Sequence, residues 1–203
     1  MKEILLGILV LVTAWSAIDV DDNFTWWLES IPAFIGLFAV IVTYKRFPLT
    51  NFLYVMLLLH ATVLLVGAHY TYAEVPLFNW IKEACGFSRN HYDRLGHFFQ
   101  GLVPALIARE LLLRTSPLQN GKWLFAIVTL SCLGISAAYE LIEWVVSVNT
   151  GDKSDAFLGT QGDVWDTQKD MLMALIGAIF AQIIFGVMHN KALEKHSVKH
   201  KKK

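Results

Sequence analysis

A chain of 203 residues that is 55% hydrophobic, with a mean hydropathy of +0.48, carries more apolar side chains than one soluble core of that size hides. Its 17 basic and 17 acidic residues balance to zero net charge, which excludes nucleic acid as a bulk electrostatic partner. With only Cys85 and Cys132, and no CxxC or Cys/His pattern, disulfide frameworks, zinc fingers and dithiol redox chemistry are excluded as well.

Six apolar runs follow in order: Ile4 to Val20, Trp26 to Tyr44, Phe52 to Ala68, Leu95 to Leu113, Trp123 to Val148, and Met171 to Met188. A helix rises about 1.5 Å per residue and a hydrocarbon core is roughly 30 Å thick, so runs of this length read as spans, the first and third being shortest. The expected fold is therefore all-α: a polytopic membrane helix bundle of about six transmembrane helices, one domain over 1–190 with a basic tail at 191–203. Ala14-Trp15-Ser16 loosely suits signal cleavage, but Lys2 is the sole charge of an n-region, so the first run is read as an uncleaved helix.

Under strict alternation one side collects Lys2, Lys45, Arg46, Arg109, Arg114, Lys122, Lys191, Lys195, Lys199 and the terminal lysines. The positive-inside rule makes that side cytoplasmic and puts both termini there. The other side keeps Lys82, Arg89, Arg94, Lys153 and Lys169 beside most of the acids, including Asp19, Asp21, Asp22, Glu74, Glu83, Asp152 and Asp155. Inner connections, Lys45 to Asn51 and Arg114 to Lys122, are short and broken by Pro48, Pro117 and Gly121, and they read as connectors. The outer loops His69 to Arg94 and Asn149 to Lys169 are longer than bundle connections need, which points to function outside. Within the first, Val75 to Cys85 is predicted as an interfacial helix begun by Pro76, with Leu77, Phe78, Trp80 and Ile81 toward lipid. Gly96, Gly101, Gly134 and Gly177 are expected to permit close helix packing.

Ionisable groups at bilayer depth cost free energy unless they face one another, water or an ion. Asp93 and His97 stand four apart at the outer start of the fourth run, on one helix face. Asp93 also suits a helix cap, and His97 alone would suit a buried hydrogen bond. Glu140 and Glu143 form an i,i+3 carboxylate pair behind Tyr139, and two such acids need a cation, a shared proton or Arg94 to compensate them. Asp163, Asp166 and Asp170 precede the last run at intervals of three and four, more acids than capping requires. His69, Tyr70, Tyr72, Glu74, His91 and Tyr92 flank the same outer surface.

These elements supply mixed imidazole and carboxylate ligands for Zn²⁺, Mn²⁺ or Mg²⁺, with Asp93, His97, Glu140, Glu143, Asp166 and Asp170 as the candidate set. Glu140, Glu143 and His97 are the candidates for acid-base work, and His69, Tyr72, His91 and Arg94 for substrate contact, Arg94 toward phosphate. A proton relay would use the same residues, and spacing leaves the two readings open. No HExxH, GxSxG or phosphate-loop pattern occurs.

The segments Gly67 to Pro76, His91 to Gly101, Tyr139 to Trp144 and Gly159 to Asp170 closely resemble the YjdF family of bacterial inner-membrane proteins, over nearly the whole chain. The resemblance implies a multi-pass protein of the bacterial inner membrane and brings no reaction with it. A looser pattern is similar to VanZ-like membrane proteins and maps onto Asp93, His97, Glu140, Glu143, Asp166 and Asp170. Glu143 and Asp170 stand where Gln and Asn are common there, and the His69 to Pro76 loop has no counterpart. The leading expectation is an outer-face site for an envelope or lipid-headgroup substrate bound through a metal. A proton-coupled transporter and a structural accessory protein knit by polar contacts are the rivals, the transporter lowered by the absence of an inverted repeat.

Overall fold

The computed structural model describes residues 1–150 and 160–201, so Asp152, Lys153, Asp155 and Gly159 lie outside the described residues. Among those described there are eight α-helices, one 3₁₀ turn and no strand. In chain order these are α1 (Lys2–Ser16), α2 (Asn23–Thr43), α3 (Asn51–Tyr70), the 3₁₀ turn Tyr72–Glu74, α4 (Pro76–Cys85), α5 (Tyr92–Thr115), α6 (Lys122–Thr150), α7 (Asp166–Ile184) and α8 (Gly186–Lys201).

Local chemistry explains most of the boundaries. Asp22 caps α2, its carboxylate accepting from Thr25 N at 2.8 Å, and Thr50 caps α3 by accepting from Leu53 N at 3.3 Å. Pro76 opens α4, and Gly86 closes it at φ +66, where the Phe87 N–H returns to Lys82 O at 2.9 Å.

Helix α5 is the centre of the bundle. It packs most extensively against α7 and also against α3 and α6, while α1 and α2 lie on α3. Close approach of α5 and α7 rests on glycine: a Cβ at Gly101 would overlap the Ala174 carbonyl, and one at Gly177 would overlap the Phe98 carbonyl. Gly96 faces the Tyr72 ring at contact distance, whereas Gly134 meets nothing within 4 Å and has no packing role. The main apolar core gathers Leu53, Met56, Leu102, Leu106, Leu124, Val128, Ala178 and Ala181, and a smaller one joins Tyr72, Val75 and Tyr92.

The outer faces are as apolar as the core. Ile31, Ile35, Phe38, Ile41 and Val42 of α2, and Leu130, Ile135, Leu141, Ile142 and Val145 of α6, are exposed, a surface suited to lipid. Among the described residues four helices, α2, α3, α6 and α7, are long and apolar enough to cross a membrane. The first apolar run ends early, because α1 stops at Ser16 with Ala17 as its cap. The last is divided: α7 ends at Ile184, and the expected tail begins inside α8. Helix α4 forms as expected with Leu77 and Trp80 exposed, but Phe78 turns inward, edge-on to Tyr92 at 5.2 Å.

Candidate functional site

The segments that precede α5 and α7 are tied together before either meets the bundle. Asn90 is fully buried; its amide donates to Val75 O at 3.1 Å and Asn79 Oδ1 at 2.9 Å, and its Oδ1 accepts from Tyr92 N at 3.0 Å. Its main chain makes a reciprocal pair with Gln161, N to Oε1 at 2.9 Å and Nε2 to O at 3.0 Å. Gln161 and Gly162 hold positive φ of 47° and 82°, so the chain turns back there to deliver Asp163 and the start of α7 against the start of α5.

At that junction Asp93, His97 and Asp170 converge, with one donor atom of each within 4.8 Å of the others. His97 is 5% exposed and Asp170 is 2% exposed. His97 Nδ1 lies 3.0 Å from Gln100 Oε1, an acceptor, which assigns the Nδ1 proton and leaves Nε2 facing Asp93 Oδ1 at 3.4 Å and Asp170 Oδ1 at 3.8 Å. A bare imidazole lone pair aimed at two carboxylates is repulsive, so Nε2 requires a proton or a cation between them. Gln100 plays the orienting part that a ligand histidine needs.

Two buried arginines brace the same acids. Arg94 pairs with Asp166 and Asp170, and reaches Asp163 Oδ2 at 3.3 Å and Asp93 Oδ2 at 3.7 Å. Arg89 pairs with Asp166 and lies 3.6 Å from Asp93 and 3.7 Å from Asp163. Lys169 holds Asp163 at 2.6 Å. That hydrogen bond, helped by the Trp165 N–H, keeps the Asp163 carboxyl below its usual pKa. Asp166 is thus engaged by guanidinium groups and lies outside the three-donor cluster.

Glu140 comes from α6. Its Oε1 is 3.7 Å from His97 Nδ1 and has no hydrogen-bond partner, although the residue is only 7% exposed, and Thr167 bonds its carboxyl. Glu140 and Glu143 line a cavity of about 180 Å³ with Trp144, Ser147, Thr160, Asp166 and Thr167. Acids here outnumber permanent cations, and one face of the cavity is therefore an acceptor surface with spare capacity.

The expected substrate contacts disperse. His69 stacks at 4.4 Å from both the Trp15 and Tyr70 rings, its Nδ1 3.2 Å from Ser16 O, between α1 and α3. Tyr72 is buried against Gly67 and 5.7 Å from the Tyr92 ring. His91 packs edge-on to Phe87 at 5.2 Å, and burial, then the charges of Arg89, Arg94 and Lys169, holds its imidazole below the usual pKa. Arg94 is the member that sits at the cluster, already occupied by carboxylates.

Sequence reasoning passed over Glu29, Arg89, Asn90, Gln100 and Gln161. Glu29 is 1% exposed in α2, with Oε1 3.5 Å from Tyr72 N and Oε2 without a partner. An acid inside the second apolar run was the available signal. Gln100 was readable too, since it stands three residues after His97 on the same helix.

The chain matches the family model described as "Predicted membrane protein (DUF2238)" over residues 1–191. It is 46% identical over 187 residues to the protein named inner membrane protein YjdF of Escherichia coli (strain K12), covering 92% of this chain and 90% of that one. No solved structure matches.

Proposed function

The chain belongs to the DUF2238 family of predicted membrane proteins, a multi-pass protein of the bacterial inner membrane, and from that premise we propose that its carboxylate-histidine end binds a divalent cation and presents it to an envelope substrate. Asp93, His97 and Asp170 supply the ligands, and the observation that carries the reading is their convergence within 4.8 Å. One imidazole and two carboxylates suit Zn²⁺ or Mn²⁺ better than Mg²⁺. In this reading six helices cross the membrane, α1 and α5 joining the four apolar ones, with both termini cytoplasmic and the site outside.

When bound, the cation supplies a polarised oxygen or an acidified water. Glu140, with its unpartnered Oε1, accepts a proton from a group held in the adjoining cavity, and Glu143, three residues on along α6, lines the same space. Trp144, 62% exposed at the cavity, offers an apolar surface beside it, which fits a lipid whose headgroup enters and whose chains stay in the bilayer. The test is add-back of Zn²⁺, Mn²⁺ and Mg²⁺ to chelator-treated protein in detergent, read as thermal unfolding. At least one metal raises Tm in the native chain and none does so in Asp170→Asn; a native Tm indifferent to all three overturns the reading.

A structural reading has its own support, because Arg89 and Arg94 bridge the start of α5 to α7 and to the turn before it. It predicts that Asp170→Asn lowers the metal-free Tm and that no added metal changes either protein.

A further inference from the structure

The opposite end of the bundle holds a second polar cluster that the outer site does not use. Glu110 is fully buried; its Oε1 accepts from Thr50 N at 2.9 Å and from Arg114 at 2.7 Å, and its Oε2 accepts from the Thr50 hydroxyl at 2.8 Å. His189, also fully buried, lies with Nε2 3.1 Å from Glu110 Oε2 and Nδ1 3.2 Å from Arg109. A guanidinium only donates, so Nδ1 is the acceptor, Nε2 carries the proton, and His189 is neutral. Arg114 therefore balances Glu110, and no described residue balances Arg109.

Arg109 is 5% exposed, and its other contacts are the neutral oxygens of Asn120 and Asn190. Among the described residues no carboxylate lies within 4.0 Å of it. A buried guanidinium without a counter-charge is costly unless an anion completes it. It borders a cavity of about 450 Å³, lined also by Asn120, Gly121, Lys122, Leu124, Phe125 and Gln182. Lys122 adds a second cation, and Gly121 and Lys122 mark the start of the 29-residue α6, where backbone N–H groups have no helical acceptor. Trp123, next to Lys122 in the chain and 69% exposed, is a side chain suited to a membrane-water interface.

We propose that this cavity is a phosphoryl-binding site, with Arg109, Lys122 and the α6 N-terminus holding the anion. Two sources share that chemistry, free inorganic phosphate and the headgroup phosphate of an anionic lipid in the leaflet at this end. The proposal stands apart from the outer metal site.

The test uses the full chain in detergent, binding labelled inorganic phosphate at equilibrium, together with native mass spectrometry after extraction from nanodiscs of phosphatidylglycerol mixed with phosphatidylcholine. Saturable phosphate uptake identifies the free anion, and selective retention of phosphatidylglycerol identifies the lipid. Either signal weakens severalfold in Lys122→Gln and about tenfold in Arg109→Gln, while Lys82→Gln, on α4 and outside the cavity lining, leaves it unchanged. Circular dichroism checks the fold, and if Arg109→Gln does not fold, Lys122→Gln decides alone. Neither signal in the native chain, or a signal untouched in every folded variant, overturns the proposal.

Discussion

At the scale of single residues the carboxylate-histidine site is an excess of acid held by two guanidinium groups. Removing Arg94 leaves Asp170, 2% exposed, without its nearest cation, and leaves Asp166, 6% exposed, to Arg89 alone. Arg94→Ala is expected to cost about 3–5 kcal/mol, read as a loss of folded protein in denaturant titration, with Arg94→Lys intermediate because an ammonium cannot fork between two carboxylates. Asp163 gives a pH signature. Its folded pKa lies below the unfolded value of about 3.9, so its pairing with Lys169 is intact above that pH and is lost as pH falls through the folded value. Lys169→Ala moves the Asp163 titration upward, which carboxyl NMR reads directly. The Asp93 and His97 pairing was legible because four residues on a helix fix a common face, and the structure has them 3.4 Å apart. Arg94 reaching Asp170 was not, since only tertiary packing brings residues 76 positions apart together.

At the scale of elements, helix existence was written in the apolar runs, but helix contacts were not. Four glycines offered equal promise of close packing; only the fold shows that Gly101 and Gly177 carry the α5 and α7 crossing while Gly134 faces open space. Gly101→Val and Gly177→Val are each expected to cost about 1–3 kcal/mol or more, and Gly134→Val to be nearly neutral, in unfolding of the purified protein. Hydropathy also ran the last span through Phe185, because a break between α7 and α8 changes backbone hydrogen bonding without changing apolarity. The inner loops were read as connectors for a similar reason. Thr50 and Asn120 become parts of a buried cluster only when Glu110, Arg109 and His189 come to meet them.

Across the whole molecule, lipid-suited apolar faces enclose polar clusters at both ends, with an apolar core between them. Charge along the chain gave this polarity its proposed direction, because alternating spans sort lysines to one end and the Asp93 cluster to the other. Cys85 is exposed as the last residue of α4, and Cys132 is buried in α6. A membrane-impermeant maleimide applied to intact spheroplasts should therefore label Cys85 and spare Cys132; labelling of Cys85 only after lysis would reverse the orientation. The most direct test of the central claim is the metal content of the protein purified without chelator, native beside His97→Gln and Asp170→Asn, by inductively coupled plasma mass spectrometry. One divalent metal per native chain, lost from both variants while they remain folded, is the result expected. A native chain free of metal even after incubation with Zn²⁺ and Mn²⁺, or variants that keep the metal in full, would contradict it.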